Sequence, residues 1–427
     1  MLYYIFRPII RIVLRSYFRK IYYTNEQRVP NGVPKMFAIN HPTSFIDPII
    51  LATHSSSVFH FILRGDVYRS PKIVQWALSS INCIPIFRKS EGFQGMRKNQ
   101  STFEYCNRLW YQGKNIQVLV EGHTKHEKRL RPIAKGPARM VLDYYDNYKD
   151  ESFVIIPVGV NYTNSHSCRS QLMVDFGEPI YLKEYIEAFK ENDRKAVRQI
   201  TQKIQKELRK RVIHVNNPDD DKMVNQILDI HRNTRVIKLP TVDRMDEQSL
   251  LNEWNTVENI NKLENAEKES LKETVNKYFE KLQNLNLKDK GVAKPNMSNF
   301  GNLLLLILGL IPFLIGALFH VLVLWFGTYL ADKFAKKIEF HASIRVGGFV
   351  VGGLVYYLLW LIALLFIGNW WLIGCLFLMP IFLRFALHYG DLFRSFSQSR
   401  RFNKLSKTDQ DLLLKSRKTI IKLTSFQ

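Results

Sequence analysis

Paired cysteines are missing from this chain. It has four, Cys83, Cys106, Cys168 and Cys375, widely spaced over 427 residues and with no CxxC among them. That excludes a disulfide framework and offers no zinc-ligand spacing, as expected in a reducing compartment. A Gly-x-Ser-x-Gly elbow is also missing, so nothing points to a serine acyl-enzyme. There is no internal repeat and no low-complexity tract, which removes solenoids and repetitive linkers. Acidic residues are few: 38 Asp+Glu stand against 61 Lys+Arg, a formal charge of +23. Such an excess suits an anionic partner: nucleic acid, an acidic lipid surface or a phosphorylated substrate. The length leaves room for two or three domains.

The C-terminal third chooses among those partners. Residues 303–330 contain no Lys, Arg, Asp or Glu, and 346–383 form a second run whose middle reads Gly368-Asn369-Trp370-Trp371. A helix needs roughly 20 apolar residues to cross a bilayer. The second run is too long for one crossing, and Gly-Asn before two tryptophans makes a turn at the membrane edge. A hairpin is expected, about 346–367 and 370–387. Membrane lipid, not nucleic acid, becomes the expected partner. Lys333, Lys336, Lys337 and Arg345 follow the first run, and Arg394, Arg400 and Arg401 lie in the tail, so both basic stretches are expected in the cytoplasm. For the globular part to share that side, 303–330 must return to where it started. Pro312 and Gly316 are the expected points of a kink or re-entry, with a single crossing as the alternative. His320, inside this run, is expected to be neutral and bonded to a backbone carbonyl.

At the other end, Arg7, Arg11, Arg15 and Arg19 recur every four residues among aromatic and β-branched side chains. On a helix they form one stripe, expected to lie in the membrane interface with guanidinium groups on lipid phosphates. A signal peptide fits less well, because charges recur throughout and no A-x-A-like cleavage site follows.

Between these ends, strand-like runs at 35–40, 58–63, 83–87, 116–120, 154–160 and 172–176 alternate with helix-like stretches at 49–54, 70–80, 98–112 and 134–145. A last helical piece covers 182–213. The alternation predicts an α/β domain with a largely parallel mixed sheet flanked by helices. The expected organisation is 1–30 as a basic amphipathic membrane-anchoring helix region and 31–215 as the α/β domain. A charged helical linker of spacer or regulatory role follows at 216–298, then a membrane region at 299–390 and a basic cytoplasmic tail at 391–427.

One short stretch carries chemistry. AINHPTSFIDP puts His41 at the end of a strand and Asp47 six residues on, with Pro48 favoured at a helix start and Asp47 as the expected N-cap. The loop between them could bring the two side chains together, the carboxylate fixing the imidazole tautomer. Otherwise Asp47 is a plain cap and His41 a satisfied polar residue. Three later stretches end strands on candidate ligands: IPIFRKSEG with Arg88 and Lys89, VLVEGHTKHEKRLRPIAKGPARM with Glu121, Gly122 and Lys125, and VIIPVGVNYTN with Pro157. In an open α/β sheet, ligands bind beyond the carboxyl ends of strands, so these stretches are expected to converge. His123-x-x-His126-Glu127 is crowded by Lys125, Lys128 and Arg129, and no metal is expected there.

Taken in this order, the four blocks resemble those of the phospholipid and glycerol acyltransferases of the PlsC type, over about residues 21–213. Five residues separate His41 from Asp47 where the usual block has four; the longer form looks like the glycerol-3-phosphate/dihydroxyacetone-phosphate branch. Val120 stands where the third block usually has proline, and His123-Thr124-Lys125 follows the glycine where that block usually has Thr-Arg or Thr-Ser. The resemblance implies a membrane-bound O-acyltransferase of phospholipid biosynthesis. His41, held by Asp47, would act as base, and no acyl-enzyme would form. Arg88, with Lys89 or Lys125, would hold the acceptor's phosphate; Glu121 would orient acceptor hydroxyls or neighbouring basic groups, Gly122 would let backbone N–H groups approach, and Pro157 would belong to the substrate site. The implied substrates are an acyl thioester, acyl-CoA or acyl-carrier protein, and a phosphorylated glycerol-type acceptor, with lysophosphatidate or another lysolipid as the alternative; no cofactor is implied. A membrane transport or scaffold protein whose basic domain only binds lipid phosphates remains as the non-enzymatic alternative.

Overall fold

The structure is a computed structural model that describes residues 2–69, 71–87, 92–235, 237 and 239–424. The chain divides into two compact units that cut across the boundaries expected above. One comprises Met1–Ile213, Pro240–Leu250 and Lys336–Ser343; the other His214–Leu239, Leu251–Ala335 and Ile344–Gln427.

The first unit opens with α1 (Leu2–Tyr17), β1 (Lys20–Thr24), β2 (Lys35–Ile39), α2 (Ile46–His54), β3 (Phe59–Arg64), α3 (Lys72–Ser80) and β4 (Cys83–Ile86). It continues with α4 (Gly92–Tyr111), β5 (Asn115–Leu119), α5 (Gly136–Tyr148), β6 (Val154–Tyr162), β7 (Gln171–Phe176), β8 (Ile180–Tyr181), α6 (Ile186–Glu191) and α7 (Asp193–Arg209). Among the described residues the strands form one mixed sheet in the order β4-β3-β5-β2-β6-β7-β1, with β8 beside β6. β2 to β6 run parallel to one another, β7 is antiparallel to β6, and β1 runs parallel to β7. This is the expected fold class.

Both faces of β2 are covered, so every residue of KMFAI is buried and no polar alternation is left in it. Met36 and Ala38 join a core with Trp110, Met140, Ile200 and Ile204. Phe37 faces the other way, its ring 4.8 Å from Phe59 and 6.4 Å from Phe176. This packing fixes the position at which β2 ends and the 41–47 loop begins.

Three local expectations change. The stretch expected to be wholly a membrane-anchoring helix contains β1, buried along its length and paired with β7. Two arginines of α1 bond within the protein: Arg7 donates to Ser55 O and Arg11 Nε to Thr53 O at 2.5 Å. The carbonyls at the end of α2 have no helical partners of their own, and the negative end of its dipole favours cations. Tyr4, Ile5 and Ile12 are the large apolar side chains of α1 left exposed. Finally, α2 begins at Ile46 with Phe45 as its cap, so Asp47 sits in the first turn and is free to face His41.

The second unit contains α8 (Asp221–Thr234), and α9 (Gln248–Lys262) runs into it from the 240–250 stretch, where β9 (Val242–Asp243) completes the sheet of the first unit beside β1. It continues with α10 (Asn265–Asn284), α11 (Asp289–Ala293), α12 (Phe300–Leu308) and α13 (Leu310–Phe334). α14 (Ile338–Ile367), α15 (Trp370–Asn403) and α16 (Lys407–Thr424) follow. Buried ion pairs join its polar helices, Arg232 to Glu253 at 2.6 Å and Arg417 to Asp289 at 2.9 Å. Three helices, α13, α14 and α15, are long and apolar enough to cross a membrane.

The expected hairpin is present, with its break at Gly368 and Asn369. The expected fold-back at Pro312 or Gly316 is not: α13 runs unbroken for 25 residues, and the interruption falls at Gly309. Pro312 lies in the first turn, where the missing N–H has no helical acceptor to lose. Gly316 lets the backbone of α15 pass, since a Cβ there would lie 2.2 Å from Phe382 O. His320 donates through Nδ1 to Gly316 O at 2.8 Å and accepts the Tyr357 hydroxyl at Nε2, also at 2.8 Å. Two partners of this kind suit the neutral ring expected from the sequence.

Candidate active site

The site is built where β2, β5 and β6 end side by side. Asn40 prolongs the pairing of β2 through its side chain, donating to Val160 O at 2.9 Å and accepting from Val160 N–H at 2.7 Å. His41 follows on a fixed base. Its Nδ1 lies 2.9 Å from Asp47 Oδ2. The ring is 13% exposed and the carboxylate fully buried, leaving Nε2 as the ring nitrogen for an incoming group.

A buried carboxylate needs several hydrogen-bond donors to replace the water it has lost. Asp47 has them: Thr43 N–H at 2.9 Å, Thr43 Oγ1 at 2.5 Å and the Tyr162 hydroxyl at 2.7 Å, besides His41. It also sits in the first turn of α2, where the helix dipole favours a negative charge. Burial and the adjoining Asp47 carboxylate raise the Tyr162 hydroxyl well above the usual phenol range, so it remains a donor. The carboxylate therefore orients His41 Nδ1–H and can support an imidazolium.

Beyond β5 the chain turns at Gly122, whose φ of +72° is the left-handed conformation that favours glycine. Its N–H closes that turn on Leu119 O at 3.1 Å. The basic loop then doubles back over the strand ends. Arg131 Nε donates to Glu121 Oε2 at 2.7 Å, and Nη2 donates both to that oxygen and to His41 O, the latter at 3.0 Å. Burial raises the Glu121 carboxyl above its usual range, and the Arg131 guanidinium opposes that shift. Lys128 Nζ donates to Tyr162 O at 2.7 Å, tying the same loop to β6. Arg131, Tyr162 and Asn40 were not singled out from sequence, although all three lie within the quoted blocks.

The remaining expected residues divide. Glu121 stands in the site as the partner of Arg131, and Pro157 is buried in β6 opposite Ala38 of β2. Lys125 is at the rim, 60% exposed and 3.0 Å from Glu127. Arg88 and Lys89 lie outside the described residues. His126 contacts Ser165 Oγ through Nδ1 and the ring of His166, while Glu127 is neutralised by Lys125 and Arg129. Among the described residues no three His, Cys, Asp or Glu side chains are placed to share a metal ion.

A strand-end imidazole backed by a buried carboxylate in a largely parallel α/β sheet is an arrangement that can take a proton from a bound hydroxyl. Residues 20–161, about a third of the chain, match the acyltransferase family model. Glycerol-3-phosphate O-acyltransferase 1 of Saccharomyces cerevisiae is 30% identical over 128 residues, 29% of this chain and 17% of that protein. Glycerol-3-phosphate O-acyltransferase 2 of the same yeast is 25% identical over 154 residues, 36% of this chain and 19% of that protein. The chain thus spans less than a fifth of the length of these curated relatives. The crystal structure of the 1-acyl-sn-glycerophosphate acyltransferase PlsC from Thermotoga maritima aligns with 48% of this chain and 80% of its own, at 15% identity and a TM-score of 0.35.

Proposed function

We propose that the chain is an integral membrane O-acyltransferase that moves a fatty acyl group from a thioester to a hydroxyl of a glycerol-phosphate-type acceptor. The observation that carries this is the 2.9 Å contact of His41 Nδ1 with the fully buried carboxylate of Asp47, inside the segment that matches the acyltransferase family model. His41 Nε2 takes the proton as the acceptor oxygen attacks the thioester carbonyl. An O–C bond forms, the C–S bond breaks, and the departing thiolate can recover the proton from the imidazolium. No strong acid and no acyl-enzyme are needed, because a thiolate leaves readily near neutral pH.

Arg88, assisted by Lys89 or Lys125, holds the acceptor's phosphate; Glu121 fixes Arg131, and Gly122 and Pro157 shape the strand ends. The donor is acyl-CoA or acyl-carrier protein, and the acceptor is glycerol 3-phosphate or dihydroxyacetone phosphate, with a lysophosphatidate as the second choice. Lys333, Lys336, Lys337 and Arg345 flank the turn between α13 and α14, and this basic cluster favours a cytoplasmic position for that turn and for the catalytic unit that includes 336–343.

The test is to give purified full-length protein a labelled acyl-CoA or acyl-carrier protein together with each acceptor in turn, then identify the lipid. Product from a glycerol-phosphate acceptor, lost in His41→Ala, is expected. Folded protein that acylates none of them overturns the proposal.

A further inference from the structure

The 336–343 stretch belongs to the catalytic unit although it opens the apolar helix α14. Three contacts account for this. Ser44 N–H donates to Glu339 O at 3.3 Å, and Phe45 N–H donates to Ser343 Oγ at 3.0 Å. His126 N–H donates to Glu339 Oε1 at 3.3 Å. Two successive amides of the 41–47 loop are thus bound by residues roughly 300 positions away, and the basic loop after β5 is bound by one of them.

We propose that Glu339 and Ser343 are positioning residues for the acyl transfer described above: the foot of α14 clamps the loop that carries His41 and Asp47. The proposal rests on that transfer being the activity. Within the loop, Thr43 gives its amide and its hydroxyl to Asp47. The next two amides point outward and have the foot as their partner, so the loop is held from both sides. A loop of this length with two unanchored amides samples other conformations, and displacement of the reacting groups by about 1 Å can lower turnover about a hundredfold. The foot holds His41 Nε2 where the acceptor hydroxyl arrives. Glu339 extends the clamp to His126, so the two loops that border the site are fixed against each other.

Ser343 gives the cleanest test, because its hydroxyl can be removed and restored with little change in volume. In full-length protein assayed with palmitoyl-CoA and glycerol 3-phosphate, Ser343→Ala should lower kcat between about fivefold and a hundredfold, the span between one lost hydrogen bond and a displaced loop. KM for both substrates should stay within about twofold, because neither substrate is bound by Ser343. Ser343→Thr should restore most of the turnover. Hydrogen exchange of the peptide covering 41–47 supplies a readout independent of catalysis: it should quicken in Ser343→Ala and return in Ser343→Thr. Unchanged exchange overturns the clamp, and unchanged kcat with a dead His41→Ala control overturns its role in positioning. A His41→Ala variant with full turnover overturns the acyl-transfer proposal instead.

Discussion

The Tyr162 hydroxyl, at the end of β6, donates to Asp47 Oδ1 at 2.7 Å, while the other oxygen of the same carboxylate faces His41. A residue 115 positions away along the chain therefore helps to hold the orienting group of the candidate base. Tyr162→Phe keeps the ring and its packing on Phe18 but removes that donor. Loss of a hydrogen bond to a charged group should destabilise the fold by about 1.5–3 kcal/mol. Turnover should fall while KM for both substrates holds. Denaturant unfolding together with steady-state kinetics checks both parts; a large rise in KM instead would place Tyr162 on the substrate.

His41→Ala should remove transfer almost wholly, because general-base catalysis typically contributes about 10²–10⁴-fold. Folding should survive, since the ring is not fully buried and Asp47 keeps its Thr43 and Tyr162 donors. Asp47→Asn should leave a trace of activity. It keeps one acceptor for the Thr43 and Tyr162 donors but no longer favours the Nδ1–H tautomer of His41. Circular dichroism and single-turnover acyl transfer separate a folding defect from a chemical one.

Arg131 distinguishes a structural pair from a functional one. Removing it as Arg131→Met leaves Glu121 buried without its guanidinium partner, which should destabilise the protein by up to about 3–5 kcal/mol. Adding Glu121→Leu should recover much of that stability, since a buried ion pair replaced by apolar groups is often close to neutral. Activity should not return with stability, because His41 O still lacks its 3.0 Å donor. Full activity in the stable double variant would reduce the pair to a scaffold.

Much of this architecture was legible in the sequence. The six strand-like runs all became strands, because strands covered by helices or by neighbouring strands read as short apolar stretches. The pairing of His41 with Asp47 was one of two readings that a strand end, two prolines and a short loop left open, and the fold puts the two side chains 2.9 Å apart. What stayed hidden depends on long-range pairing. β1 is five residues of KIYYT, and β9 is only two, so neither carries a period of its own. Arg131 looked like one more cation in a basic loop, and only the fold turns it toward Glu121. The arginine stripe of α1 was visible, but the carbonyl ends it meets belong to α2. Pro312 and Gly316 signalled a bend by composition, yet a proline in the first turn and a glycine under a neighbouring backbone require none.

Acid should weaken the fold before it reaches the carboxylates. Burial lowers His54 to about 3 and His231 to about 4, each from an ordinary value near 6.5. Both are therefore neutral in the folded protein at pH 5 and protonated when unfolded. The unfolded state binds more protons over this window, so their contribution is complete above about pH 6.5 and is lost as pH falls toward the folded values. Each histidine adds a slope approaching about 1.4 kcal/mol per pH unit within it. Urea unfolding between pH 7 and pH 4.5 should show this decline, and His54→Gln should flatten it. A slope unchanged in that variant would mean that His54 can protonate in place.

The hairpin turn supplies the test of orientation. Asn369 caps α15 by accepting from Trp371 N–H at 3.0 Å, and the neighbouring Trp370 and Trp371 side chains are exposed, as suits residues at a membrane–water boundary. If α14 crosses once from a cytoplasmic foot, Asn369 emerges on the far side and Lys337 stays with the catalytic loop. Asn369→Cys and Lys337→Cys can be made separately in a chain whose Cys83, Cys106, Cys168 and Cys375 are replaced by serine. In intact cells an impermeant maleimide should label the first variant and not the second, and lysis should expose the second. Losing the cap should destabilise the helix end by about 1 kcal/mol, too little to invert a hairpin. Labelling at 337 from outside would put the His41 loop on the face away from cytoplasmic thioesters, and the proposed donors would have to be abandoned.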